Sequence, residues 1–164
     1  MFVNSIQPYT IQFNHIHIIF LDPNEIKVIS NGKDKLDAKV NVISYDLIPK
    51  MEIKQGTFKV IIADESHYLK NPEATRTKAI IPLLQSARRA ILLSGTPALS
   101  RPIELYPQLV ALNSSIFPSM AKFAMRYCNA FKNQFGWDYT GNSNLKELHT
   151  ILSVNKNDIM IPVI

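Results

Sequence analysis

Two short apolar runs, each broken off by a polar tetrapeptide, constrain this chain more than any other feature. Residues 58–63 (FKVIIA) end in Asp64-Glu65-Ser66-His67, and residues 90–93 (AILL) end in Ser94-Gly95-Thr96-Pro97. Apolar runs this short suit strands buried on both faces of a parallel sheet. A helix is predicted between them. Asn71 is a good N-cap, and Pro72 would sit at the first helical position, where a missing N–H costs nothing. Arg88 and Arg89 would lie near the helix end, where the dipole favours cations. Pro82 is predicted to kink this helix or end it early. Thirty residues separate Asp64 from Ser94, about the length of one strand–helix–strand unit, with a right-handed crossover expected.

Adjacent carboxylates at the carboxyl end of a parallel strand stand where open α/β sheets bind ligands. Asp64 suits a magnesium ion held through water, because that ion takes hard oxygen ligands and keeps part of its shell. Glu65 suits the task of orienting and deprotonating a water that attacks a terminal phosphate. The four letters alone fit a solvated pair or a helix cap better. In the second tetrapeptide Gly95 permits a tight turn and Pro97 stops the strand. If the two strands are neighbours, the hydroxyls of Ser94 and Thr96 approach His67 and Glu65. Taken alone, this tetrapeptide reads as an ordinary turn. The order and spacing of both motifs together favour a nucleotide site over coincidence. A serine hydrolase fits badly: no G-x-S-x-G is present, and Ser66 beside His67 is not a nucleophile–base geometry.

The remaining sequence frames these motifs. With 164 residues, 46% of them hydrophobic, the chain can form one domain with a core. Its net charge of +5 is compatible with an acidic partner such as nucleic acid without selecting one. Cys128 is the sole cysteine, which excludes an internal disulfide and points to a reducing compartment. His15 and His17 share a strand face with no cysteine or carboxylate nearby, so no metal site is expected there. Residues 1–20 lack Lys and Arg and are interrupted by Asn14, His15 and His17, a poor signal peptide or membrane span. Strands are expected at 16–20, 26–29 and 39–45, with a turn at Asn31-Gly32. Met120, Phe123, Ala124, Tyr127, Cys128 and Phe131 form the apolar stripe of a helix after Pro118. Residues 136–144 read as a loop. Ser143 or Asn144 could cap a last helix that turns Leu145, Leu148 and Leu152 inward.

Residues 58–79 (FKVIIADESHYLKNPEATRTKA) resemble motif II, the Walker B region, of Swi/Snf-type ATPases of helicase superfamily 2. Residues 88–109 (RRAILLSGTPALSRPIELYPQL) resemble motif III of that family and the segment C-terminal to it. RYCNA at 126–130 and WDYTGNSNLKELHTIL at 137–152 are similar to its annealing-helicase branch, the HepA-related proteins and the zinc-finger RAN-binding domain annealing helicase. The resemblance covers residues 25–160, leaving 1–24 unassigned and 161–164 as an unrelated tail. It implies an α/β fold: a partial RecA-like parallel sheet with flanking helices, the second half of helicase lobe 1. It implies ATP and magnesium as cofactors, branched or fork DNA as partner, and a nuclear location. By the family pattern Asp64 is the magnesium-associated acid and Glu65 the catalytic acid, while His67, Ser94 and Thr96 couple hydrolysis to DNA. Ser44 and Tyr45 fall at a strand-end element near DNA, although a buried strand aromatic is an equally good reading of Tyr45.

The phosphate-cradling loop of such motors, G-x-x-x-x-G-K-[ST], does not occur in these residues. Only Gly32 precedes a lysine, with Lys27 and Asp34 where glycine and Ser or Thr are needed. The family places that loop upstream and a second lobe, with its arginine finger, downstream. The expectation is therefore a fragment of an ATP-dependent DNA translocase or annealing helicase, acting in DNA rewinding and fork repair and inactive by itself. The alternative is a non-catalytic truncated product that binds DNA or protein. An exposed sheet edge is predicted to make the chain marginally stable and prone to aggregate.

Overall fold

The computed structural model describes residues 22–94 and 101–154. The expectations for residues 1–20, for 95–100 (Thr96 included) and for the 161–164 tail lie outside the described residues. Two parallel strand pairs come first. β1 (Ile26–Val28) pairs with β2 (Val40–Val42), Ile26 opposite Val40. β3 (Val60–Ala63) pairs with β4 (Arg89–Leu92), Val60 opposite Arg89 and Ala63 opposite Leu92. The expected helix, α1 (Thr75–Ser86), connects β3 to β4. After it come α2 (Tyr106–Leu112), α3 (Met120–Tyr127), an antiparallel hairpin of β5 (Phe131–Asn133) and β6 (Gly136–Asp138), and α4 (Leu145–Val154). The α/β class is as expected, but the described strands form three two-stranded sheets rather than one continuous sheet.

One core lies against the β3–β4 pair. Ala63, Leu69, Ile80, Leu84, Leu92 and Ala111 are buried together, so α1 and α2 cover one face of that sheet. Val60 and Ile62 on the other face are 54% and 56% exposed, which corrects the expectation of burial on both faces. An apolar run signals a strand but does not say how many of its faces are covered.

Helix α1 departs from expectation at both ends, and it is not cut short at Pro82. The Asn71 side chain accepts the Glu73 N–H at 2.9 Å within a preceding turn, and the helix begins at Thr75 after Ala74. Pro82 neither ends nor stops it, since the helix runs on to Ser86. An interior proline costs about 3 kcal/mol. Burying Ile80, Leu83 and Leu84 at roughly 1.5–3 kcal/mol each outweighs that cost. Ala87 closes the helix by donating to the Leu83 and Leu84 carbonyls, so Arg88 lies beyond it and Arg89 opens β4. β2 stops at Val42, which places Ser44 and Tyr45 beyond the strand expected to hold them.

A second core joins Leu105, Leu109, Phe117, Phe123, Ala124, Tyr127, Cys128 and Leu148. Ser119 caps α3, its Oγ accepting the Lys122 N–H at 3.4 Å. The predicted stripe is buried at Phe123, Ala124, Tyr127 and Cys128, but Phe131 belongs to β5 and is 54% exposed. The expected helix period overruns the real end at Tyr127, which Cys128 caps. The segment 136–144, expected as a loop, begins instead with β6. In α4 Leu148 is buried and Leu152 packs on the same core. The Ser143 Oγ and Asn144 Nδ2 groups donate to the Arg126 carbonyl at 2.6 and 2.8 Å, tying the start of α4 to the end of α3.

Candidate functional site

The β3–β4 register carries the acidic turn to the end of β4. The Leu93 N–H donates to the Ala63 carbonyl at 2.9 Å, and the Ser66 N–H donates back to the Leu93 carbonyl at 2.7 Å. Between these bonds the chain turns sharply, with Glu65 in the left-handed region at φ 52°, ψ 48°. For a residue with a Cβ this conformation costs of order 1–3 kcal/mol and persists only where its surroundings fix it. Several contacts do so. Asp64 Oδ1 accepts the Glu65 N–H at 3.0 Å, and the Tyr68 N–H donates to the Glu65 carbonyl at 3.0 Å. The Tyr45 hydroxyl donates to the Asp64 carbonyl at 2.7 Å. The fully buried Ser66 hydroxyl donates to Gln108 Oε1 at 2.8 Å, and Gln108 Nε2 donates to the Glu104 carbonyl at 3.2 Å.

This turn leaves Asp64 and Glu65 exposed above the sheet edge. Glu65 Oε2 lies 3.1 Å from His67 Nδ1, and Ser94 Oγ lies 3.4 Å from the same nitrogen. Ser94 and Glu65 thus converge on one ring atom of His67. The imidazole stacks on Tyr68 with centroids 4.7 Å apart. Tyr68 in turn neighbours Tyr45 at 6.0 Å and carries the Arg76 guanidinium 5.7 Å above its ring. Arg76 also pairs with Asp46 at 3.2 Å. Burial first, then the charges of Asp64 and Glu65, pushes the Tyr45 phenol up to about 12. It therefore stays a neutral donor near pH 7.

Asp64, Glu65, His67, Ser94 and Tyr45 are brought together, whereas Ser44 stays exposed with its carbonyl accepting the Leu47 N–H at 3.1 Å. Sequence reasoning missed Gln108. The signal was present: a lone amide among Leu105, Leu109, Ala111 and Leu112, at a helical position that proves 3% exposed. Among the described residues no three His, Cys, Asp or Glu side chains converge. Two exposed adjacent carboxylates do not cage a metal. They do fit magnesium, which keeps waters and takes further oxygens from a phosphate substrate.

The SNF2-related domain family model matches residues 2–159. The chain is similar to a Bos taurus protein, SWI/SNF-related matrix-associated actin-dependent regulator of chromatin subfamily A-like protein 1, at 51% identity over 80% of this chain. It is also similar to the Homo sapiens DNA annealing helicase and endonuclease ZRANB3, at 46% identity over 86% of this chain. The chain spans 14% of the length of each relative. A solved structure, the Sulfolobus solfataricus SWI2/SNF2 ATPase core in complex with dsDNA, shares the fold: TM-score 0.62 and 24% identity, over 83% of this chain and 28% of that one.

Proposed function

The chain belongs to the SNF2-related domain family, and from that premise we propose that it is the acidic strand-end segment of an ATP-driven DNA motor of the annealing-helicase kind. The observation that carries this reading is the meeting of Glu65 and Ser94 on His67 Nδ1 at the carboxyl ends of paired parallel strands. In this reading Asp64 holds magnesium through water and Glu65 orients the attacking water and accepts its proton. When bound, the ion would neutralise charge on the phosphate oxygens. Glu65 is engaged by His67 here, so taking a proton from water requires that contact to loosen. The Ser94 hydroxyl then becomes the remaining partner of Nδ1, which links the acid to the segment after β4, where Thr96 stands. Coupling of hydrolysis to DNA is assigned to that link.

ATP as cofactor, branched or fork DNA as partner and a nuclear location are inferred from similarity to relatives named as an annealing helicase and a regulator of chromatin. The phosphate-cradling loop is not among these residues, so the isolated chain is expected to hydrolyse ATP negligibly. The test is a segment exchange. Replacing the matching segment of the 51%-identical relative with these residues should preserve DNA-stimulated ATP hydrolysis. A soluble chimera that binds DNA but shows no stimulated hydrolysis contradicts the reading.

A further inference from the structure

The β5–β6 hairpin presents more aromatic surface than its own folding explains. Its two-residue turn is Gln134-Phe135, and Phe135 at the tip is 90% exposed. Such turns favour Asn, Asp and Gly, so a phenylalanine there is not turn chemistry. The tip is nonetheless fixed: the Phe135 N–H donates to Asn133 Oδ1 at 2.8 Å, and Gly136 takes φ +125°, which a side chain would strain. Trp137 in β6 and Tyr139 just beyond it lie on the same side. Trp137 is 52% exposed, and its ring lies within 5° of parallel to Tyr139, centroids 6.3 Å apart. Directly across the ladder from Trp137 stands Lys132. The flat rings of Phe135, Trp137 and Tyr139 line one open depression of about 440 Å³.

Charge points to the class of ligand. From residue 120 to 154 the bases Lys122, Arg126, Lys132 and Lys146 face only two acids, Asp138 and Glu147. Both acids are engaged, Glu147 by Arg126 and Asp138 by the N–H and hydroxyl of Thr140. Among the described residues Lys122, Lys132 and Lys146 form no ion pair. The exposed rings of Phe135 and Trp137, with the unpaired Lys132 across the ladder, match a strand that offers flat bases and phosphates together. A duplex keeps its bases stacked inside and cannot offer their faces.

We propose that this hairpin binds single-stranded nucleic acid, with unpaired bases stacking on Phe135 and Trp137 and Lys132 on the phosphates. The choice of nucleic acid over a protein partner rests on the DNA-motor reading. Trp137 is the only tryptophan in the chain, so its emission reports the hairpin directly. The full chain is titrated with an oligothymidylate of about 15 nucleotides and with its duplex, following Trp137 emission and the anisotropy of a labelled strand. Quenching by the single strand, weakened about tenfold by Phe135→Ala and restored by Phe135→Tyr, is expected. Lys132→Gln should flatten the salt dependence by roughly 0.7 in log–log slope. Equal quenching by oligouridylate means stacking indifferent to the sugar, and quenching by oligothymidylate alone means a DNA site. Unchanged emission while the strand binds, no binding at all, or equal binding of the duplex overturns the proposal. Persistent quenching alongside an inactive exchange chimera instead removes the motor reading and leaves the hairpin site standing.

Discussion

Gln108 and Ser66 hold the acidic turn from beneath through a buried hydrogen bond. Leaving one buried partner unsatisfied costs about 1–3 kcal/mol, whereas replacing both with apolar groups can be nearly neutral. Gln108→Leu should therefore destabilise the chain by about 1–3 kcal/mol in urea denaturation, and adding Ser66→Ala should recover much of that loss. Strict additivity of the two changes would show that the bond does not hold the turn. The carboxylates and His67 were legible in the sequence because short motifs name residue types. Gln108 was not, because its partner lies 42 residues away and only the packing of α2 under the turn brings them together. The Glu65 backbone was equally hidden, since nothing in D-E-S-H requires a left-handed glutamate.

At the level of elements, α3 and α4 are clasped by one carboxylate. Glu147 accepts from Arg126 Nε and Nη2 at 2.7 and 2.6 Å and from the Tyr127 hydroxyl at 2.7 Å. The Arg126 bond first, then the Tyr127 bond, lowers the Glu147 carboxyl below its ordinary 4.5. A carboxyl depressed in the folded state contributes stability that is fully present above the unfolded value. That contribution is lost as the pH falls through the folded value. The melting temperature of the chain should therefore drop on acidification below about pH 4.5, and more steeply than that of Glu147→Gln. Parallel pH profiles for the two proteins would show that the clasp does not contribute. The elements themselves were largely visible: apolar runs gave β3 and β4, and the 3.6-residue stripe gave α3. Boundaries failed where tertiary packing overrode local signals. Pro82 is carried through α1 by its buried leucines, and Phe131 leaves the stripe because α3 ends at Tyr127.

At the scale of the whole molecule, the described residues form two cores, one under the acidic strand end and one around Cys128. The Cys128 thiol is fully buried, and burial pushes it up to about 11. A neutral buried thiol is a poor nucleophile. At pH 7 a thiol reagent should modify Cys128 only through opening of the second core, and added urea should accelerate the reaction to the free-thiol rate. Reaction at the free-thiol rate without denaturant would mean that this core is not formed. Val28, Val42, Val60 and Ile62 are each at least half exposed. Open apolar surface of this kind is the basis of the expected marginal stability, which the same thiol reaction tests. Fold class and family were readable from two strand-ending motifs. The extent of face coverage was not, because an apolar run reads alike whether one side of the strand is covered or both.

The most direct measurement is DNA-stimulated ATP hydrolysis by the exchange chimera with Glu65→Gln. Removal of a general base lowers the rate by about 10²–10⁴-fold, and that loss is predicted with nucleotide binding retained. An unchanged rate in a chimera that still binds ATP and DNA would contradict the assignment of the acidic strand end as the hydrolytic site.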